Sequence, residues 1–435
     1  MEETEKILQL YDLPFADLLL LSSSSSEELG PLDVVRSDIM EALGPAGPGL
    51  LAISGVPNAS ALRRHLPLAR NLALLDADHR KLILKKHNLG SDVPLKDPSR
   101  KVSSFAMQLS YAYALDHTQL NPEQDLQRSD SDKATESVDN EYKNLGNKLK
   151  ELGFCMMDLG LRLARVCDRA MGGQELEQSL LESGTAKGRL IHYHSAVDGH
   201  FLLKQGARKN RAKQTTRNQR ISQGGSGEIR PIRSIHSNLW QQWHYDYGIF
   251  TVLTAPLFLK PNCVEGEEEE EEEGFADGGF KEFNGYPSGH TCLQIFDPNK
   301  NSVFMVKAPT ESFIVQVGES ADILSKGKLR ATLHSVGRAE ENFRNLSRET
   351  FVVFLQPAWN KVFSMSDYLK KHIGLELEDQ VLSRECSEEK RIAEEEFKKI
   401  VPPLWSRLKD GMTFAEFSRE TTKQYYGGSG LQSNR

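Results

Sequence analysis

The sequence predicts an α+β fold with a mainly β core, closed or sandwiched, and with helices on its N-terminal and C-terminal sides. Two segments, Trp243 to Leu253 and Arg348 to Gln356, are rich in the aromatic and β-branched residues that strands prefer. Each carries polar side chains among apolar ones, which suits strands that turn polar groups towards an interior. In residues 59–88 and 138–172, apolar residues recur at the helical interval, which predicts helices.

The first strand segment contains a His-x-Asp pattern, His244 and Asp246. Side chains two residues apart on a strand project to the same side, so both groups are expected on one face. A second histidine, His334, follows much later in the chain. Two imidazoles and one carboxylate are the ligands that hold non-haem Fe(II) while leaving the opposite coordination positions open. The pattern therefore predicts a metal centre formed by His244, Asp246 and His334.

Arg348 and Thr350 share one face of the second strand segment, and Glu349 between them is turned away. Pro357 ends this strand, because proline cannot donate to a strand ladder. Arginine offers a planar fork of donors that matches a carboxylate, and threonine can add a hydroxyl. Since the pair follows the metal ligands, it is suited to hold the far carboxylate of a keto-acid co-substrate.

With these motifs in this order, residues 189–357 resemble the catalytic domain of the plant-type 2-oxoglutarate- and Fe(II)-dependent dioxygenases, the isopenicillin N synthase-like family. His244 to Thr251 resembles the family run H-x-D-x-G-x-x-T. Three further stretches resemble the strands and turn that precede the second histidine: Leu293 to Asp297, Phe313 to Gly318 and Ser325 to Gly327. In the N-terminal region, two shorter stretches resemble family motifs: Leu13 to Asp17 and Gly49 to Val56.

The sequence departs from the family motifs at two sites, and it is longer than usual before His244 and after Pro261. Ser54 stands where the family usually has a histidine that is not a metal ligand. Leu190 to His194 stands where the family has Asn-Tyr-Tyr-Pro; it keeps Tyr193 and loses the proline. Tyr193 is open to two interpretations, contact with the keto acid or ordinary packing in the β core. His192 and His194 form a His-x-His pair, for which a structural or substrate-lining role is favoured, because no suitably spaced glutamate follows.

The resemblance implies a double-stranded β-helix, or jelly-roll, flanked by helices. It also implies Fe(II) bound by His244, Asp246 and His334, with 2-oxoglutarate held by Arg348, Thr350 and Tyr193. The expected reaction is oxidation of a small organic substrate, by hydroxylation, with consumption of O2 and release of succinate and CO2; desaturation and ring closure use the same oxidant. The expected regions are an N-terminal dioxygenase-associated region at 1–120, a linker and helix at 121–185, the jelly-roll domain at 186–360 and a C-terminal helical region at 361–435.

Two alternatives stay open. A catalytically silent jelly-roll protein could use charged loops to bind a partner. A four-coordinate zinc hydrolase site could use the same three ligands, but it would leave Arg348 and Thr350 without a role.

The net charge of −7 comes from one acidic tract, Glu265 and Glu267 to Glu273. The negative charge of this tract alone exceeds the net negative charge of the whole chain. Such a run is most simply a solvated loop. The segment Lys204 to Arg233 is basic, and the favoured interpretation is a mobile surface loop. Nuclear targeting, nucleic-acid contact and a lid for an anionic substrate are the alternatives, and both charged segments are candidates for a protein partner.

The chain has no run of eighteen apolar residues, and its first residues are acidic, which argues against a membrane span and a secretory signal. Five scattered cysteines show no metal or disulfide spacing and fit a reducing compartment. A cytoplasmic location is expected, with the basic segment keeping a nuclear one open. Residues 121–140 are the expected linker. After Pro357, helices are expected at 363–372, 385–400 and 413–426, the last beginning with the capping pattern Thr413-x-x-Glu416.

Overall fold

The structure is a computed structural model that describes residues 6–23, 32–91, 93–111, 142–215, 238–262, 279–365, 368 and 400–426. Its helices are α1 (Phe15–Ser23), α2 (Asp33–Leu43), α3 (Ala59–Arg63), α4 (Leu68–Leu74), α5 (Ala77–Lys86), α6 (Leu145–Met171), α7 (Glu175–Ser183), α8 (Ala196–Thr215), α9 (Glu319–Leu324), α10 (Leu404–Arg407) and α11 (Phe414–Tyr426). Two short 3₁₀ helices lie at Pro287–Gly289 and Glu341–Phe343.

The strands are β1 (Ile7–Gln9), β2 (Asp12–Pro14), β3 (Leu50–Ser54), β4 (Gly90–Ser91), β5 (Val102–Ser110), β6 (Thr185–Tyr193), β7 (Leu239–His244), β8 (Phe250–Thr254), β9 (Leu257–Pro261), β10 (Phe280–Glu282), β11 (Leu293–Asp297), β12 (Ser302–Lys307), β13 (Phe313–Val317), β14 (His334–Gly337) and β15 (Ser347–Leu355). The smaller sheet has the order β1-β12-β11-β14-β7. The larger sheet has the order β2-β3-β13-β8-β15-β6-β5-β4, with β9 beside β15 and β10 beside β9. Pairs β1–β12 and β2–β3 are parallel, and the other described pairs are antiparallel.

The larger sheet buries both of its faces, and its strands show which residues belong to which face. On β15, Val352 belongs to an apolar cluster that also contains Trp240 and Ile295 of the smaller sheet. Its neighbours Phe351 and Val353 belong to a second cluster, which includes the residues of α6. This alternation is the one expected of a strand with period two. One face of the larger sheet therefore meets the smaller sheet, and the other meets the helices.

Helix α6 packs on the outer face of the larger sheet through two glycines. A Cβ atom at Gly160 would lie 2.0 Å from Leu355 Cδ1, and one at Gly153 would lie 2.5 Å from Leu109 Cδ1. Since any side chain there would overlap the sheet, glycine allows the helix axis to approach the strands closely. The predicted helix at 138–172 corresponds to α6, which begins at Leu145.

The predicted helix at 59–88 is three shorter helices, α3, α4 and α5, rather than one. Pro67 precedes α4, and the Asp76 carboxylate accepts hydrogen bonds from the main-chain nitrogens of Asp78 and His79, which caps α5. Periodicity alone did not reveal these breaks, because the apolar spacing continues across them.

At the C-terminal side, α11 begins with the predicted capping box. Thr413 N and Oγ1 donate to Glu416 Oε2 at 2.9 and 2.7 Å, and Glu416 N donates to Thr413 Oγ1 at 3.3 Å. Phe414 and Phe417 of this helix pack with Phe363 in a separate apolar cluster. Most of the other two helices predicted after Pro357 lies outside the described residues.

The start of the basic segment differs from its prediction as a loop, because residues 204–215 continue helix α8. The rest of that segment, the acidic tract, the linker predicted at 121–140 and two of the cysteines, Cys263 and Cys386, lie outside the described residues. Among the described helices, none combines the length and the apolar composition needed to cross a membrane. The four predicted region boundaries stay a prediction.

Candidate metal centre

His244, Asp246 and His334 come together at the end of the smaller sheet. Strands β7 and β14 pair antiparallel, and His334 lies directly opposite His244 in their register. One ligand atom from each of the three residues lies within 4.8 Å of the other two. Asp246 Oδ1 lies 3.9 Å from His244 Nε2, and Asp246 Oδ2 lies 3.8 Å from His334 Nε2. Among the described residues, this is the only group of three or more His, Cys, Asp or Glu side chains arranged to hold a metal ion.

The expectation that one strand carries both His244 and Asp246 is wrong in its detail. Strand β7 ends at His244, and Asp246 lies in the turn that leads to β8. The start of α9 fixes the position of that turn, since Asp246 O accepts from Glu319 N at 2.8 Å and Gly248 O accepts from Ser320 N at 3.0 Å. The carboxylate therefore reaches the imidazoles through the shape of a turn rather than through strand alternation.

Hydrogen bonds to main-chain oxygens fix the tautomers of both histidines. His244 Nδ1 lies 2.7 Å from Gln242 O, and His334 Nδ1 lies 3.0 Å from Thr332 O. A carbonyl oxygen can only accept, so in the neutral ring each Nδ1 carries the proton. Each Nε2 therefore keeps a lone pair, and these are the atoms that face Asp246. This is the arrangement in which imidazole binds a metal.

The surroundings favour the neutral imidazole of His244 and orient the carboxylate of Asp246. Both histidines are 6% exposed. Burial, with a further contribution from His334, lowers the pKa of His244 to about 4. Asp246 Oδ2 accepts a hydrogen bond from Thr251 Oγ1 at 2.6 Å, which orients the carboxylate. His244 is therefore neutral at neutral pH, so its Nε2 can bind a metal without first losing a proton.

Gln241 is a site residue that the sequence did not indicate. Its Oε1 accepts from the Tyr193 hydroxyl at 3.0 Å, so its amide nitrogen is the atom that donates to His244 Nε2 at 2.9 Å. The four residues of β7 from Gln241 to His244 lie opposite the three of β14 from His334 to Val336. This bulge brings side chains of odd separation to one side of the strand. Simple alternation would have placed Gln241 on the face opposite His244.

Arg348 is buried beside Tyr193 between the sheets. The residue is 3% exposed, its Nε donates to Thr291 O at 3.0 Å, and its guanidinium carbon lies 5.0 Å from the centre of the Tyr193 ring. No carboxylate among the described residues forms an ion pair with it. Because a buried cation is costly unless an anion accompanies it, Arg348 is suited to receive an anionic ligand.

Thr350 lies on the same face of β15 as Arg348, as predicted. Its hydroxyl is within 3.1 Å of Thr254 O and 3.2 Å of Thr254 Oγ1. The hydroxyl therefore has a main-chain acceptor already and would have to rotate to donate to a ligand.

Glu349 points to the opposite face, again as predicted, and there it holds His192. His192 Nδ1 lies 2.9 and 3.0 Å from the two Glu349 oxygens, and Ser347 Oγ donates to Oε1 at 2.7 Å. Burial raises the pKa of Glu349 above its ordinary value. These contacts agree with the structural role favoured for His192.

No family model matches the sequence, and neither does any curated protein sequence. Among solved structures, a full-length Neurospora crassa protein in complex with alpha-KG is similar over 97% of both chains, at 12% identity and a TM-score of 0.50. The dioxygenase for auxin oxidation (DAO) in rice is similar over 81% of this chain and 85% of its own, at 15% identity and a TM-score of 0.45. The first likeness shows the fold, a double-stranded β-helix with flanking helices, as the sequence predicts.

Proposed function

We propose that this protein is a 2-oxoglutarate- and Fe(II)-dependent dioxygenase that oxidises a small organic substrate. The observation that carries the proposal is the convergence of His244 Nε2, Asp246 and His334 Nε2, each with its lone pairs turned to a common point. Two neutral imidazoles and one carboxylate are the donors that suit Fe(II) with open coordination positions. A structural zinc site is less consistent with a set of only three protein ligands.

The metal would be held by these three residues, and Thr251 would keep the carboxylate oriented. When bound, Fe(II) supplies the means to couple O2 to the decarboxylation of the keto acid and the oxidation of the substrate. Gln241 donates to His244 Nε2 in the present arrangement, so metal binding at that nitrogen would release its amide. The freed amide, still positioned by the Tyr193 hydroxyl, would then donate to a ligand beside the metal.

The co-substrate 2-oxoglutarate would be held through its far carboxylate by Arg348. The buried guanidinium of Arg348 can donate two parallel, charge-assisted hydrogen bonds to that carboxylate. Tyr193 lies beside it, and Thr350 can donate its hydroxyl after rotation. A buried contact of this kind contributes roughly 1.5–3 kcal/mol, so its loss would lower co-substrate affinity about ten- to a hundredfold. The zinc hydrolase alternative gives Arg348 and Thr350 no such role.

Two finer assignments belong to the same proposal. The reaction is hydroxylation, and the chain is a plant-type, isopenicillin N synthase-like dioxygenase. The family assignment is supported by the order of the motifs from Tyr193 to Thr350, together with the placement of Arg348 and Thr350 on one face of β15. Hydroxylation is the reaction that the family resemblance implies.

The test is an anaerobic titration of the full chain with Fe(II) and 2-oxoglutarate, followed by the weak visible charge-transfer band of the chelated keto acid. We expect a band in the wild type, no band in Asp246→Ala, and a ten- to hundredfold weaker 2-oxoglutarate response in Arg348→Ala. Arg344→Ala removes a mostly exposed arginine nearby and should behave as the wild type.

Absence of the band in the wild type at saturating metal and keto acid would refute the proposal. A band without any succinate release in the presence of O2, across a broad panel of small organic substrates, would favour the catalytically silent alternative.

A further inference from the structure

A cavity lies apart from the candidate metal centre, where α8 begins beside the start of β5 and the end of β14. Its volume is about 340 Å³, and it is open to solvent. The residues that line it include Arg100, Lys101, His194, Ser195, His200 and Arg338, and none of the described residues in its wall is Asp or Glu. No residue of the candidate metal centre belongs to this wall.

His194 contributes a buried polar atom without a partner to the wall. The residue is 4% exposed, and its Nδ1 has no hydrogen-bond partner. Its Nε2 lies 2.9 Å from Ser103 Oγ, and that oxygen already accepts from Arg100 Nε at 3.0 Å. Ser103 Oγ has one proton and two lone pairs, so beside Arg100 it can either donate to His194 Nε2 or accept from it. In either tautomer Nδ1 is a buried polar atom without a partner, which is costly, so it points to a ligand that hydrogen-bonds with it.

The positive charges in the wall are not neutralised by contact. The Arg100 guanidinium donates to Ser103 Oγ and to the main-chain oxygens of Leu95, Asp97 and Ala73, all of which are neutral. Burial and the neighbouring Arg338 lower the pKa of Lys101, which indicates that the two cations lie close together. No described carboxylate forms an ion pair with Lys101 or Arg338. The cavity therefore carries a field that favours anions.

Helix α8 adds its N-terminus to the same wall. It is 20 residues long and begins at Ala196, directly after the lining residue Ser195. The one acidic side chain in its first turn, Asp198, is buried against Arg70, with Oδ1 3.0 and 2.8 Å from two guanidinium nitrogens. The first main-chain N–H groups already have acceptors, since Ala196 N donates to Arg344 O at 2.9 Å and Asp198 N donates to Ser195 Oγ at 3.1 Å. The helix therefore contributes only the partial positive charge of its N-terminus.

We propose that this cavity binds the phosphoryl group of a small molecule. Positive charge and an unpartnered polar atom reach it from three chain segments: Arg100 and Lys101, His194, and Arg338. Several cations around one cavity suit a phosphoryl group, which carries more negative charge and more acceptor oxygens than a carboxylate. The volume exceeds that of one phosphoryl group, so the bound molecule would carry an organic part as well.

The test measures phosphate binding to the full chain by titration calorimetry in phosphate-free buffer containing a chelator, so that metal-bound phosphate does not contribute. Inorganic phosphate, glycerol 2-phosphate and acetate are compared at one ionic strength. We expect both phosphates to bind, the ester more tightly, and acetate to bind at least tenfold more weakly. Equal binding of acetate would overturn the assignment to a phosphoryl group.

Variants locate the site. The double variant Lys101→Ala/Arg338→Ala removes two partly exposed cations and should weaken phosphate binding at least tenfold. Lys307→Ala removes an exposed lysine outside the cavity wall and should leave binding unchanged, as should Arg348→Ala. Phosphate binding lost in Arg348→Ala and retained in the double variant would refute the proposal, because it would place the anion between the sheets. Absence of phosphate binding to the wild type would refute it as well.

Discussion

Arg407 connects the C-terminal helices to the segment that shapes the metal centre, and its replacement gives a quantitative test. Its side chain is fully buried; Nη1 donates to Glu319 Oε2 at 2.8 Å, and Nη2 donates to Glu319 Oε1. Nη1 also donates to Thr421 Oγ1 at 2.9 Å. Glu319 in turn donates its main-chain N–H to Asp246 O. The ion pair thus joins α10 to α9 and to the turn that carries a proposed metal ligand, and the hydrogen bond to Thr421 adds α11.

Replacing Arg407 with methionine keeps much of the side-chain volume but leaves the Glu319 carboxylate buried without its partner. Removing one member of a buried pair costs about 3–5 kcal/mol, so we expect Arg407→Met to lower the free energy of unfolding by that amount. Arg407→Met/Glu319→Leu removes both charges and should recover most of the loss. Denaturant unfolding followed by fluorescence and circular dichroism measures both variants.

The matched control is Arg344→Met, which breaks a mostly exposed pair with Glu341 and should change the free energy of unfolding by about 0–1 kcal/mol. If Arg407→Met were no less stable than this control, the pair would not be buried as described. If the double variant were less stable than Arg407→Met, the loss would come from packing rather than from an unpaired charge.

Three further predictions concern packing, pH and metal affinity. Gly160→Ala should destabilise the protein by about 1–3 kcal/mol in thermal unfolding, since its Cβ would overlap Leu355; Gly173→Ala, with open space around it, is the control, and equal effects would contradict the close helix approach. Burial raises the pKa of Asp322 to about 7, above its unfolded value of about 3.8. Its contribution to stability is therefore full below the unfolded pKa and falls as pH rises towards and through 7. The pH profile of Asp322→Asn should lack this loss, and identical profiles would refute it. Thr251→Val removes the hydroxyl that orients Asp246 and should weaken Fe(II) binding about ten- to a hundredfold. Thr422→Val, far along α11, should leave Fe(II) binding unchanged in the same titration, and equal affinities in the two variants would count against the role of Thr251.

The sequence predicted most accurately where the local pattern decides the structure. Phe313–Val317 and Leu293–Asp297 are strands, and the alternation along β15 places Arg348 and Glu349 on opposite faces. The capping box of α11 was likewise local, because its two partners are three residues apart. In each case, neighbouring residues supply the whole physical reason.

The sequence predictions failed where contacts between distant parts of the chain determine the local structure. The turn at Asp246 is held by the segment at Glu319, and nothing near Asp246 indicates this. The bulge that brings Gln241 to His244 depends on the register against β14. His192 meets its carboxylate on a strand 157 residues later. Such contacts depend on strand register and tertiary packing, which one sequence without its fold does not specify.

The strands between residues 7 and 110 cover edges that the rest of both sheets would otherwise expose. They include strand β1 beside β12, strand β3 beside β13 and strand β5 beside β6. Without them, these three partners would each present a row of unpaired main-chain donors and acceptors to solvent. Rows of that kind recruit strands from other molecules and lead to aggregation. The N-terminal segment thus covers these strand edges. A fragment that begins at β6 would expose them and would aggregate.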